Sequence, residues 1–366
     1  VDVLDLRRLN RATVMRQGLL ERTPGDVAAM VAQVGGLQGQ LPAPPLIGMW
    51  SRLDAFTRES WRDAARSGRI VRGSSLRGTL HVHEVDDYRA LRVSLQPMFD
   101  RLARGMRRRL GDQDPTPVLE HGHELFEHGP TTVAQLKEAL AERFPDAEPQ
   151  ALMNVVRLGL SLLIVPDDDA PDGWKVNAPF VLAREQIGDT LDSTVDDERI
   201  VTRFLASLGP GSSRDVQTWS GITGVKSTMQ RMLDDGLLEL VLTWQGDELF
   251  DLPGAPRPDA EASAPPRFLP MWDNLLLSHA DRSRVIDPAH RPYIASKNGM
   301  PPPTYLIDGF VHGTWRIDHA QHDVKLVLSP FSEIPSRHEA ALIAEGESLL
   351  RFLHPDATRH AVQVGS

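Results

Sequence analysis

Two glutamines two residues apart, Gln38 and Gln40, flank Gly39 inside residues 35–45. In an extended segment, residues i and i+2 point the same way, so both carboxamides can converge on one point. A carboxamide carries an acceptor oxygen and N–H donors together, so it can hold a water molecule in a defined orientation. It does not titrate usefully, so it orients and polarises water rather than deprotonating it. Gly39 permits close approach of the backbone to a ligand, while Gly35, Gly36, Pro42, Pro44 and Pro45 bend and stiffen the loop. The same letters also read as a helix end followed by a Pro-rich connector.

Four further groups suit binding more than bond breaking. Arg77 and His81 lie in the stretch RGTLHVH, expected on a strand: Arg77 as a phosphate contact and His81 at DNA or at the site. Alternatively, Leu80 and Val82 are core and His81 is an edge residue. Arg101, Arg104 and Arg108 share one helical face by their spacing and make either a phosphate track or a solvated face. Trp272, Asp273 and Asn274 open a strand-to-helix transition that Asp273 could cap. His312 sits in a hairpin over residues 308–315, which either enters a groove or merely turns at Asp308-Gly309.

Other chemistries are missing from the letters. There are no cysteines, hence no disulfide, iron–sulfur cluster, thiol nucleophile or thiolate zinc site. The close histidine pairs, 81/83, 121/123 and 319/322, match no zinc spacing, so no metal is expected. Neither a dinucleotide fingerprint nor a phosphate loop occurs, so no cofactor is expected. The lysines are Lys137, Lys175, Lys226, Lys297 and Lys325; none precedes residue 137, so the glutamine loop has no nearby amine for a Schiff base.

The elements that must position these residues form a repeat. Helices over 118–128, 133–143 and 147–159 precede strands over 160–165 and 174–177. Some eighty residues later, helices over 196–208, 214–220 and 225–235 precede strands over 237–243 and 248–252. In both copies "GP-x-[TS]" precedes the second helix, with Thr131 or Thr132 and Ser212 or Ser213 as the cap. Helix–turn–helix followed by a hairpin is the winged-helix plan. A divergent third copy has helices over 5–20, 24–34 and 57–67 and strands over 69–72 and 78–83, and it carries the glutamine loop. Residues 253–267 read as a linker or surface loop. The last hundred residues read as a mixed unit with a hairpin, another strand and a closing amphipathic helix over 337–352.

The 366 residues carry a net charge of −10, which argues against an indiscriminate DNA binder. The charge is uneven: residues 1–110 hold 19 arginines and 11 acidic residues, a net of +8. That asymmetry suits one face turned toward an anion, or arginine-rich helices that solvate themselves. No run of eighteen apolar residues occurs and residues 1–16 hold no signal-like stretch, so a cytoplasmic, membrane-free protein is expected.

The stretches GLQGQ, SLRGTLHVH, FLPMWDNLLLSHADRSRVI and LIDGFVHGTWRI, in that order along nearly the whole chain, resemble the winged-helix DNA glycosylase family that includes the azinomycin-resistance enzyme AlkZ. The resemblance implies an α/β (α+β) fold: three tandem winged-helix motifs over 1–112, 113–192 and 193–255, forming a concave DNA-binding face, plus a C-terminal α/β unit over 256–366. It implies Gln38 and Gln40 as the catalytic pair, and Arg77, His81, Arg101, Arg104, Arg108, Trp272, Asp273, Asn274 and His312 at the DNA. Some relatives carry an acidic residue at the second position, where this chain has Gln40. Without that base, a substrate with a good leaving group is needed, and a cationic N7-alkylated purine departs without protonation. The expectation is a monofunctional, monomeric glycosylase acting on double-stranded DNA with bulky alkylated purines, in self-resistance to a genotoxin. The alternatives are a non-catalytic winged-helix regulator or damage-binding protein, and a hydrolase of a free small molecule.

Overall fold

A computed structural model describes residues 2–106, 109–111, 114–188, 191–192, 194–296, 299–320 and 323–365. The first segment runs β1 (Asp2–Leu4), α1 (Leu6–Arg16), α2 (Val27–Gln33), β2 (Leu37–Gln38), α3 (Ala43–Trp50), α4 (Arg58–Arg66), β3 (Ile70–Ser74), β4 (Leu80–Glu84), α5 (Val85–Ser94) and α6 (Gln96–Met106). Next come α7 (Pro115–Glu127), α8 (Val133–Arg143), α9 (Pro149–Gly159), β5 (Leu162–Ile164), β6 (Phe180–Leu182) and α10 (Ala183–Ile187). The third segment is α11 (Asp197–Leu208), α12 (Ser213–Ser220), α13 (Val225–Asp234), β7 (Glu239–Thr243) and β8 (Glu248–Asp251). The last comprises β9 (Arg267–Leu269), α14 (Asn274–Leu277), α15 (Arg291–Ile294), β10 (Thr304–Ile307), β11 (Phe310–Ala320), β12 (Asp323–Pro330), α16 (Ser336–Leu353) and β13 (Arg359–Val364).

The repeat is visible in hydrogen bonds. Thr132 and Ser212 each close a capping box, with Gln135 and Asp215 reaching back, which fixes the start of α8 and of α12. Just before each cap, the turn makes a reciprocal backbone pair with the second hairpin strand: Thr131 with Phe180, and Gly211 with Phe250, every bond 2.9 Å. The hairpins then diverge. β5 and β6 extend the sheet of the first segment, giving the order β2-β4-β3-β5-β6, whereas β7 pairs with β1 in a separate sheet of order β1-β7-β8.

Two expectations need correction. The partner of β5 is β6, not residues 174–177. Trp174 is instead buried, donating its indole N–H to the Ile164 carbonyl and packing edge-on against Trp61. Residues 253–266 form a surface loop, as expected, held on α1 by arginines that donate to the carbonyls of Pro256, Ala260 and Ala262. The Pro-rich stretch after the glutamines is largely helical, because Pro44 and Pro45 fall in the first turn of α3, where a missing N–H costs nothing.

In the last segment, β9 to β13 form one sheet in the order β13-β12-β11-β10-β9. The Asp308-Gly309 turn is left-handed at both residues. It is seated on α1, where Arg7 and Arg11 grip the Asp308 carboxylate and Asn10 donates to the Gly309 carbonyl.

Candidate active site

β2 forms one edge of the five-stranded sheet, with Gln38 directly opposite His81 and Leu37 opposite Val82. Opposed residues share a face. Leu37, Leu80 and Val82 therefore enter the main core, while Gln38, His81 and His83 line the other side. Gln38 is half-buried and Gln40 is exposed. Neither glutamine lines the cavity of about 400 Å³ formed by Ser212, Asp215, Trp244 and Arg284.

The loop is held from several elements at once. Gly35 and Gly36 are left-handed, with φ of 77° and 85°. A side chain on Gly36 would lie 2.5 Å from the His83 ring, so the chain can enter β2 this way only with glycine. Asn274 donates one amide to the carbonyls of Val34, at 3.1 Å, and Gly36. Gln17 from α1 also donates to Val34, at 3.1 Å. Past the strand, the Gly39 N–H donates to the Leu80 carbonyl at 2.8 Å. Arg72 of β3 donates to the carbonyls of Gly39, at 2.8 Å, and Gln40, at 3.3 Å.

Arg77 sits beneath the first glutamine. Its backbone is left-handed, φ 57°, a conformation costing a residue with a side chain about 1–2 kcal/mol. One terminal nitrogen donates to the Trp219 carbonyl at 2.6 Å; the other reaches Gln38 Oε1 and His81 Nε2, both at 3.1 Å. A guanidinium only donates, so His81 Nε2 is an acceptor and its proton resides on Nδ1, facing the Thr79 carbonyl at 3.2 Å. Burial, then the Arg77 charge, then His83 push the His81 pKa far below its ordinary value. Burial, with a smaller contribution from Arg203, takes His83 down to about 3. Both imidazoles are neutral parts of the floor. Burial also lowers Arg72 and Arg77 to about 10.

The remaining sequence candidates are placed as follows. Trp272 is buried and left-handed, φ 61°, and donates to the Gly299 carbonyl at 2.8 Å. Asp273 caps α14 and forms a two-pronged ion pair with Arg52, both bonds 2.9 Å and both side chains fully buried. That pair fixes the helix from which Asn274 reaches the loop. Arg101 and Arg104 are exposed on α6, and Arg101 donates to the Gly221 carbonyl and, at 3.4 Å, to Thr223. Arg108 lies outside the described residues. His312 is half-buried against Tyr305, with ring centroids 6.2 Å apart and its pKa lowered by burial. Sequence reading missed Arg72, Gln17, Arg52 and the Trp219 carbonyl, since letters do not tell a buried arginine from a solvated one. It also missed Arg282, partly buried and close enough to Arg77 to lower its pKa. Among the described residues, no group of three or more His, Asp or Glu side chains could hold a metal ion.

Arranged this way, the carboxamide of Gln38 at the strand edge and that of Gln40 just past it can position a water molecule or the polar edge of a bound molecule. The family described as DNA glycosylase AlkZ-like matches residues 31–352 of the chain. Among solved structures, the Streptomyces sahachiroi DNA glycosylase AlkZ aligns with a TM-score of 0.78 at 19% identity, covering 99% of this chain and 100% of that one. At that identity the likeness speaks for the fold. No curated protein sequence matches the chain.

Proposed function

Because the chain belongs to the AlkZ-like DNA glycosylase family, we propose that this DNA glycosylase is monofunctional and releases N7-alkylated purines, bulky natural-product adducts among them, with Gln38 and Gln40 as the catalytic pair. The observation that carries the reading is the fixed Gln38–Gly39–Gln40 edge, its carbonyls tied by Arg72 and its first amide tied by Arg77. Positioning without a titrating base suits a leaving group that already bears a positive charge. The C1′–N9 bond breaks with its electron pair passing to the cationic purine. The sugar gains oxocarbenium character, as in other glycosidic cleavages, water adds at C1′, and a proton leaves to solvent. Release of a bulky adduct in this way fits self-resistance to a DNA-alkylating compound.

We read the two helix-helix-helix-hairpin segments as winged helices over 113–192 and 193–255, supported by capping boxes and turn-to-strand pairs at matching places. The first segment, 1–112, is the divergent third, and 256–366 is the C-terminal unit. Arg101 and Arg104 are the exposed phosphate contacts of this reading; His312 and the Trp272–Asn274 stretch act from behind the surface. The exposure of Gln40 favours a polymer over a free small molecule. Among the described residues, no helix is long and apolar enough to cross a membrane.

The test is single-turnover incubation with duplex DNA carrying one N7-methylguanine, then one bulky N7 adduct, followed by alkali. Strand scission only after alkali is expected. Tight binding without release of either base would overturn the N7-purine reading. Gln38→Ala and Gln40→Ala should each slow release by on the order of 10²-fold, the loss typical of one polar group positioned at a reacting centre, with unchanged thermal midpoints. A wild-type rate in either variant would remove that residue from the site.

A further inference from the structure

We propose that Arg77 sets the polarity of the glutamine pair, holding Gln38 as a hydrogen-bond donor to the bound nucleotide and leaving Gln40 as the acceptor that orients water. This rests on the reading that the two glutamines form the active site. A guanidinium has no acceptor, so the amide atom it meets, 3.1 Å away, must be the oxygen. A flipped amide would set N–H against N–H. The assignment therefore follows from charge rather than from how the amide was drawn. With the oxygen turned inward to a cation, Gln38 Nε2 makes no hydrogen bond among the described residues and reaches solvent. Gln40 has no comparable tether: its backbone carbonyl is held by Arg72, while its exposed side chain is left to the ligand.

Arg77 is itself locked. Its other terminal nitrogen is fixed by the Trp219 carbonyl of α12. Gly221, next to the end of α12, is packed so closely that a side chain there would lie 3.0 Å from the Arg77 Cα. The neutral His81 Nε2 shares the same guanidinium nitrogen. An arginine held left-handed by three acceptors on three elements is built to point one way, and strained residues of this kind concentrate at functional sites. Arg77 is thus a positioning residue. It also ties the third segment of the chain to the catalytic edge.

The two glutamines should respond oppositely to the same change. Gln38→Glu exchanges the donating N–H group for an oxygen and pairs with Arg77, so single-turnover release should fall by on the order of 10²-fold. Gln40→Glu keeps an acceptor and adds a base, so release should rise, or fall at least tenfold less than in Gln38→Glu. The inverse pattern, or equal losses, overturns the assignment. Arg77→Met should slow release with little change in DNA affinity, and Arg77→Lys should restore part of the rate. A loss confined to affinity, with a shallower salt dependence, would instead make Arg77 a phosphate contact. The ¹⁵N spectrum of the full chain without DNA gives a readout free of catalysis: His81 should be protonated on Nδ1 and unprotonated on Nε2. The opposite tautomer would break the Arg77 geometry even if base release is normal. Conversely, the expected tautomer with no base release on any adduct would fault the function and leave the geometry standing.

Discussion

Buried arginines play two different parts in this molecule. In the seams between segments, Arg16 and Arg52 each meet a carboxylate. Arg16 of α1 pairs with Asp251 through bonds of 2.7 and 2.9 Å, and Arg52 pairs with Asp273 in the same two-pronged way. Under the glutamine edge, Arg72 and Arg77 meet only carbonyls, an amide oxygen and a neutral imidazole, and among the described residues no carboxylate appears among the causes of their lowered pKa. A seam arginine is neutralised where it lies and acts as structural glue. A floor arginine keeps its charge unbalanced, which burial penalises, and in exchange aims acceptors in a fixed direction. The first kind should therefore govern stability, and the second, activity.

The largest expected effect breaks a seam. Arg52→Met leaves Asp273 buried without its partner, and removing one member of such a pair costs about 3–5 kcal/mol. Chemical denaturation should show that loss in the midpoint. Release of α14 would also loosen Asn274 and with it the entry to the glutamine loop. A loss below about 1 kcal/mol would mean that the pair contributes no more than a surface ion pair does, and the contrast between seam and floor would collapse.

A medium effect concerns the neutral floor. His81 and His83 are fully buried with depressed pKa, His83 at about 3. Below pH 6.5 the unfolded chain takes up protons that the folded floor refuses, so stability falls as pH falls. For His83 the loss continues down to about pH 3, where the folded site itself protonates. Between pH 6.5 and 5 His83 alone removes about 2 kcal/mol. His83→Gln should flatten the pH dependence of the thermal midpoint in that window. An unchanged slope would show that His83 titrates normally in the fold.

Much of this was readable in the letters, and the limits have physical causes. Thr132 and Ser212 announce their helices because a cap needs only neighbours within three residues. Asp308-Gly309 announces its turn for the same reason. The glycines and prolines around Gln38 and Gln40 fit a helix end with a Pro-rich connector equally well, and only the family resemblance singles out the pair. What holds that edge could not be found. Asn274 bonds the Val34 carbonyl from 240 residues away, and nothing local distinguishes it from a surface asparagine. β1 pairs with β7, running parallel to it, across most of the chain, again without a local signal. Trp174 has strand-like neighbours, yet its indole N–H needs a buried acceptor and takes the Ile164 carbonyl, so the hairpin partner moves six residues on.

The smallest stability effect and the sharpest test of the comparison belong to Arg72→Met. The change removes hydrogen bonds to the Gly39 and Gln40 carbonyls, each worth about 1 kcal/mol net. It also removes a buried charge that no carboxylate offsets, and replacement of such a charge by an apolar side chain of similar length recovers its desolvation cost. The two terms oppose, so the unfolding free energy should move by no more than about 1 kcal/mol. Base release should fall by about tenfold, because the carbonyls that keep the Gln40 backbone turned inward lose their anchor. A stability loss as large as that of Arg52→Met would make Arg72 glue like the seam arginines. A wild-type rate would show that Gln40 is held by the strand edge alone. Either result would place the division between the two kinds of arginine elsewhere, and only a stable, slow variant keeps it at the glutamine edge.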